Sequence, residues 1–187
     1  MAVKKNIDQE QDVVDRAKKV LQNISKKETN RDLTTKRLGL VIEEVELKKE
    51  ALRLTKIGLA KTKDILDKVR DSSSYDAGCI AEFEQLFSTI EEGVATWEVG
   101  VSTSKQSLES LVISTESKKG AGKIGTMLPK GKDMNKRLSL IIDFQELLND
   151  KIREKVGEII DVNNSLTNFA SQVGVKAAAS DKTTEKS

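Results

Sequence analysis

Residues 80–111 read IAEFEQLFSTIEEGVATWEVGVSTSKQSLESL. Their apolar positions, Ile80, Phe83, Phe87, Ile90, Val94, Trp97, Val101, Leu108 and Leu111, recur in alternating steps of three and four. That 3.5-residue period, broken only at Ser104, predicts an amphipathic helix over about residues 77–117. Lys118 and Lys119 suit the negative end of such a helix, and Gly120 suits the left-handed residue that closes one.

The same pattern extends in both directions. Downstream, Leu138, Ile141, Ile142, Leu148, Ile152, Val156, Ile159, Val162, Leu166, Phe169 and Val173 mark a helix from an N-cap at Asp133 to a stop at Gly174. Upstream, Leu33, Leu40, Leu47 and Leu54 recur every seven residues, and a second row, Leu38, Val45, Leu52 and Leu59, runs about 140° around the same helix. A helix over 32–70 with two apolar rows should touch two neighbours. Asp71, Ser72, Ser73 and Ser74 supply a short polar turn after it.

Three helices of about 40 residues, each roughly 60 Å long, predict an all-α fold. The expected form is an elongated antiparallel bundle with an added N-terminal helix, arranged up-down-up-down or with that first helix hinged or swapped. Residues 1–30 carry the weaker helix, with Asn6 and Gln9 at capping-box spacing and Val13, Ala17, Val20 and Ile24 on one face. Lys27, Arg31 and Thr34 then occupy successive seam positions, which argues for a hinge near 27–32. The competing expectation is one continuous helix over 7–70, since no proline or glycine forces the break. Residues 31–175 are expected to form the bundle proper, with a Gly/Lys-rich loop at 117–132, and residues 176–187 a small, polar, disordered tail.

Composition agrees. Hydrophobic residues make up 37%, aromatics 3%, and Pro129 is the single proline in 187 residues, as suits long helices rather than a turn-rich sandwich or barrel. Histidine is absent, which removes Ser/His/Asp triads, Cys/His dyads and histidine-ligated zinc. The lone Cys79, at the start of an apolar stripe, is expected to be a buried, inert thiol. No apolar run reaches membrane-span length and no apolar signal core follows the first lysines, so a cytoplasmic or virion-interior setting is expected. A mature piece of a secreted precursor would carry the same composition.

Lys plus Arg number 32 and Asp plus Glu 30, but the near-neutral total hides segregation. Residues 1–71 sum to +5, 72–117 to −7, 118–137 to +6, 138–175 to −3 and the tail to +1. The positive block holds Lys118, Lys119, Lys123, Lys130, Lys132, Lys136 and Arg137, among four glycines and the apolar residues Ile124, Met127 and Leu128. Three roles fit it: a solvated loop, a docking surface for an acidic partner, or a site for a phosphate-rich partner such as nucleic acid or an anionic membrane. Gly120-Ala-Gly-Lys-Ile-Gly-Thr126 lacks the Gly-Lys-Ser/Thr register of a P-loop.

Other candidate chemistry is sparse. Glu43 with Glu46, and Glu154 with Glu158, sit at helical spacing and are expected on solvated faces. Gly93 and Gly100 bracket Trp97 and suit either simple tolerance or a close helix approach. No catalytic residue, metal, cofactor or small-molecule substrate is expected. Long amphipathic helices serve many unrelated functions, and no motif selects one. The leading expectation is a non-enzymatic structural or scaffolding protein that acts by self-assembly or by binding another helical protein, with Leu33, Leu40, Leu47, Leu54 and Trp97 at helix or oligomer interfaces. The alternatives are nucleic-acid or anionic-membrane binding through the basic block, and a membrane-active bundle with Ile124, Met127 and Leu128 as its tip.

Overall fold

A computed structural model of the chain describes residues 13–22, 32–71, 75–120 and 132–184; side chains are described for 13–22, 33–71, 75–116 and 136–173. Apart from Tyr75 and Asp76, all the described residues are helical: α1 (residues 13–22), α2 (Asp32–Asp71), α3 (Ala77–Gly120) and α4 (Lys132–Thr184). No strand occurs among the described residues. The expected all-α bundle is therefore the fold. None of these helices is long and apolar enough to cross a membrane.

The starts of the three long helices lie close to where the periodicity put them, and α3 ends at Gly120. At its start, the Asp76 carboxylate accepts from the Cys79 amide at 2.8 Å, and the Asp76 carbonyl accepts the amide of Ile80 at 3.2 Å. This is an N-cap, which satisfies one of the amides a helix start leaves open. The end of α4 differs from expectation: the helix runs past Gly174 to Thr184, so its backbone covers most of the expected tail. Glycine permits a left-handed stop without imposing one, and Ala177, Ala178 and Ala179 are strong helix formers. The proposed hinge at 27–32, except Asp32, lies outside the described residues.

The chain divides into two compact units, one of Met1–Lys48 with Gly100–Arg153, the other of Lys49–Val99 with Glu154–Ser187. In the first, Val14, Ala17 and Val20 of α1 join Leu38, Val41, Ile42 and Val45 of α2 and Leu108 and Val112 of α3 in one buried cluster. The expected α1 face is thus shifted by one residue at its start, Val14 inside and Val13 half-buried. On the α4 side, Lys36 pairs with Glu146, Asn149 reaches the Leu40 carbonyl and Arg153 pairs with Glu43. Residue numbers advance together in these contacts, so the two segments run parallel within this unit.

In the second unit the buried cluster is Ile65, Val69, Leu166 and Val173, with Phe83 and Phe169 packed against it, ring centroids 5.3 Å apart. Lys56 pairs with Glu98 and Arg70 with Glu84, an order that runs oppositely on α2 and α3. The apolar stripe of α3 faces inward as predicted, and Trp97 is half-buried within it.

Candidate functional site: a buried polar network and an outward apolar face

Ser104, the break in the α3 stripe, lies inside the first unit and is 3% exposed. It meets Glu44 of α2, itself 8% exposed. The Ser104 hydroxyl donates to Glu44 Oε1 at 2.6 Å while accepting from Lys48 Nζ at 2.8 Å, and Lys48 Nζ also reaches Glu44 Oε1 at 2.6 Å. From α4, Gln145 Nε2 donates to Glu44 Oε2 at 2.8 Å and to Asn149 Oδ1 at 3.2 Å. Asn149 Nδ2 in turn donates to the Leu40 carbonyl at 2.9 Å and to Glu43 Oε2 at 3.0 Å, and Glu43 pairs with Arg153. One connected network therefore ties α2, α3 and α4 within this unit.

Its electrostatics follow from that geometry. Burial works to raise the pKa of Glu44, but the hydrogen bonds from Lys48, Ser104 and Gln145 and the Lys48 charge outweigh it and hold the carboxyl below the usual carboxylate range. The Arg153 hydrogen bond, against some desolvation, lowers Glu43 in the same direction, with Asn149 assisting. Both groups stay ionised at neutral pH. Removing one partner of a buried, multiply bonded carboxylate of this kind is costly, because it leaves the remaining polar groups buried and unpaired.

The second unit repeats part of this. Asn163 of α4, 6% exposed, donates Nδ2 to the Leu54 carbonyl of α2 at 2.9 Å. Lys61 Nζ reaches the Asn163 carbonyl at 3.1 Å and the Thr167 hydroxyl at 2.6 Å. Asn163 Oδ1 has no hydrogen-bond partner, and it lies 2.8 Å from where a Cβ on Gly58 would stand. The close helix approach is thus at Gly58. At Gly93 and Gly100 a Cβ would meet Thr55 and Lys48 at 3.7 and 3.8 Å, ordinary contact distances.

These asparagines correct the expected phase of α4. Val162 and Ile141, expected inside, are 50% and 43% exposed, while Asn163 and Asn149 are buried. Apolar pattern favours the valine at 162, but only the amide at 163 can bond the Leu54 carbonyl. Glu43 is likewise half-buried and bonded rather than on a plain solvated face, whereas Glu46 is exposed and pairs with Lys18. Cys79 is half-buried rather than buried.

The predicted interface leucines are largely taken up within the chain: Leu54 is buried and Leu33, Leu40 and Leu47 are half-buried. Among the described residues, large apolar side chains are left exposed elsewhere: Leu140, Phe144 and Leu147 on the outward face of α4 in the first unit, at 69%, 66% and 57%, and singly at positions such as Val99 on α3 and Val162 on α4, at 67% and 50%. Spacings of four and three put Leu140, Phe144 and Leu147 on one side of the helix. The sequence signal for this face was present as extra apolar residues beside the inward stripe.

Of the basic block, Lys136 and Arg137 are exposed on α4 just before this face. Lys118 and Lys119 belong to the end of α3 and Lys132 opens α4, while Lys123 and Lys130, with Ile124, Met127 and Leu128, lie outside the described residues. An open groove of about 490 Å³ in the first unit has Arg37 on one wall and α3 hydroxyls on the other. Two of those hydroxyls, Ser107 and Ser114, donate to carbonyls of their own helix, at Thr103 and Leu111. Among the described residues, no group of three acidic or cysteine side chains is placed to hold a metal. No family model, curated protein or solved structure matches the chain.

Proposed function

We propose that this chain is a structural or scaffolding protein that acts by associating with protein surfaces, copies of itself foremost, and not by catalysis. The observation that supports it most is the outward row of Leu140, Phe144 and Leu147, three large apolar side chains each more than half exposed on a helix whose other side is packed. Contiguous exposed apolar surface of this kind marks interaction sites in soluble proteins. A cytoplasmic or virion-interior setting suits such a protein.

The test is molar mass by light scattering on a sizing column at low and high salt, recording absorbance at two wavelengths. A mass above the 20.6 kDa of one chain, with protein-like absorbance, is the expected result. A single-chain mass at every concentration and salt would refute self-association. The exposed Lys136 and Arg137 favour a second reading, an anionic partner held by the basic block. It predicts nucleic-acid absorbance on the column, or retention on an anionic matrix that is lost on replacing Lys118, Lys119, Lys123, Lys130 and Lys132 together.

A further inference from the structure

We infer that the open groove between α2 and α3 in the first unit is a binding site for a phosphate group, free or as the monoester of a small molecule. Its starting point is Arg37. Half-buried charges ordinarily have partners, because partial burial removes some of their water without replacing it. Among the described residues the half-buried cations are Arg37, Lys48, Lys49, Lys61 and Lys105. Lys48 bonds Glu44 and Ser104, Lys61 bonds Asn163 and Thr167, and Lys49 and Lys105 are also engaged. Arg37 has no hydrogen bond or ion pair to any described residue.

The groove it lines, about 490 Å³, is large enough for a small phosphate ester, and none of the described residues lining it is acidic. The facing wall is one side of α3, where Gln106, Ser107, Ser110 and Ser114 follow at helical spacing. The Gln106 amide and the Ser110 hydroxyl likewise have no partner among the described residues. Ser107 and Ser114 donate to the Thr103 and Leu111 carbonyls, and a helix carbonyl keeps its backbone amide when such a hydroxyl turns away. One wall thus offers a planar guanidinium fork and the other a row of neutral donors. A phosphate has three outward oxygens, enough for the fork and for donors opposite it. A carboxylate held by the same fork would turn its carbon chain toward those donors and leave them unused. Leu111 adds one apolar patch, which suits the carbon part of an ester. The site goes beyond the self-association reading and does not depend on it.

The experiment titrates the nitrogen-15-labelled full chain with inorganic phosphate, glycerol phosphate, acetate and sodium chloride at matched ionic strength, reading the backbone amides from Thr103 to Ser114 and around Arg37 by NMR. Both phosphates should give saturable shifts centred on these amides, chloride none, and acetate should bind at least about tenfold more weakly. Tighter binding of glycerol phosphate than of inorganic phosphate would identify an ester as the occupant, and the reverse order the free ion. Arg37→Gln should weaken phosphate binding about tenfold or more, and Ser110→Ala by a few-fold, each with helix content unchanged by circular dichroism. Arg37→Lys, which keeps the charge and loses the fork, should not restore full affinity. Replacing Lys118, Lys119, Lys123, Lys130 and Lys132 together should leave this binding in place, which separates it from the anionic-partner reading of the basic block. Acetate binding as tightly as phosphate would overturn the choice of ligand. Shifts that do not saturate, or binding that Arg37→Gln and Ser110→Ala leave unaltered, would overturn the site.

Discussion

Asn163 and Gly58 are matched: the buried Oδ1 of one lies 2.8 Å from the place where any β-carbon on the other would stand. Exchanging glycine for alanine in a helix ordinarily gains up to about 1 kcal/mol. Here the added carbon meets a short, buried side chain anchored through Nδ2 to the Leu54 carbonyl. Gly58→Ala should destabilise the fold by about 1–3 kcal/mol in urea unfolding. Gly93→Ala and Gly100→Ala should stabilise it, and adding Asn163→Ala to Gly58→Ala should recover part of the loss.

Removing one member of the Glu44–Lys48 pair leaves the other poorly solvated, since their side chains are 10% and 17% exposed. Glu44→Ala should cost about 3 kcal/mol, and the double change Glu44→Ala with Lys48→Met should cost less than the single one. Thermal denaturation of the three proteins checks this order.

The lowered pKa values of Glu44 and Glu43 set the sign of the acid response. A carboxyl held lower in the folded than in the unfolded chain contributes stability above its unfolded pKa and loses it as pH falls through the folded value. Stability should therefore be steady near neutrality and decline as pH drops below the ordinary carboxylate range. Glu44→Gln should be less stable at pH 7 and show a shallower decline. Denaturant midpoints measured from pH 7 down to about pH 3 decide the point.

The cap at Asp76 is a local test. Asp76→Ala opens the Cys79 amide and should lower stability by about 1 kcal/mol, while Asp76→Asn or Asp76→Ser should retain most of it. Chemical denaturation is sufficient to separate these outcomes.

Much of the fold was legible because apolar side chains repeat at helical spacing, and α3 follows its predicted stripe from Ile80 to Leu111. The interior polar positions were not legible. A serine at 104 reads as an interruption until Glu44 is seen across from it, and nothing in a hydropathy pattern distinguishes Asn163 from its neighbour Val162 except that valine looks more interior. Gly58 carries no signal for the same reason, because its role depends on a partner 105 positions away. The apolar face of α4 is half legible: the apolar spacing puts Ile141 inward, whereas helix phase turns it, with Leu140 and Phe144, out of the core.

Asn149 and Asn163 stand fourteen residues apart, and so do the carbonyls they bond, at Leu40 and Leu54. In each unit the donor is a particular side chain, but the acceptor is the peptide group that every residue carries. The two ends of each contact therefore face unequal selection. Sequence drift at 40 and 54 is restrained by packing alone and leaves the hydrogen bonds intact, whereas drift at 149 and 163 breaks them. Among descendants of this chain, the two asparagines should outlast the leucines whose backbones they hold.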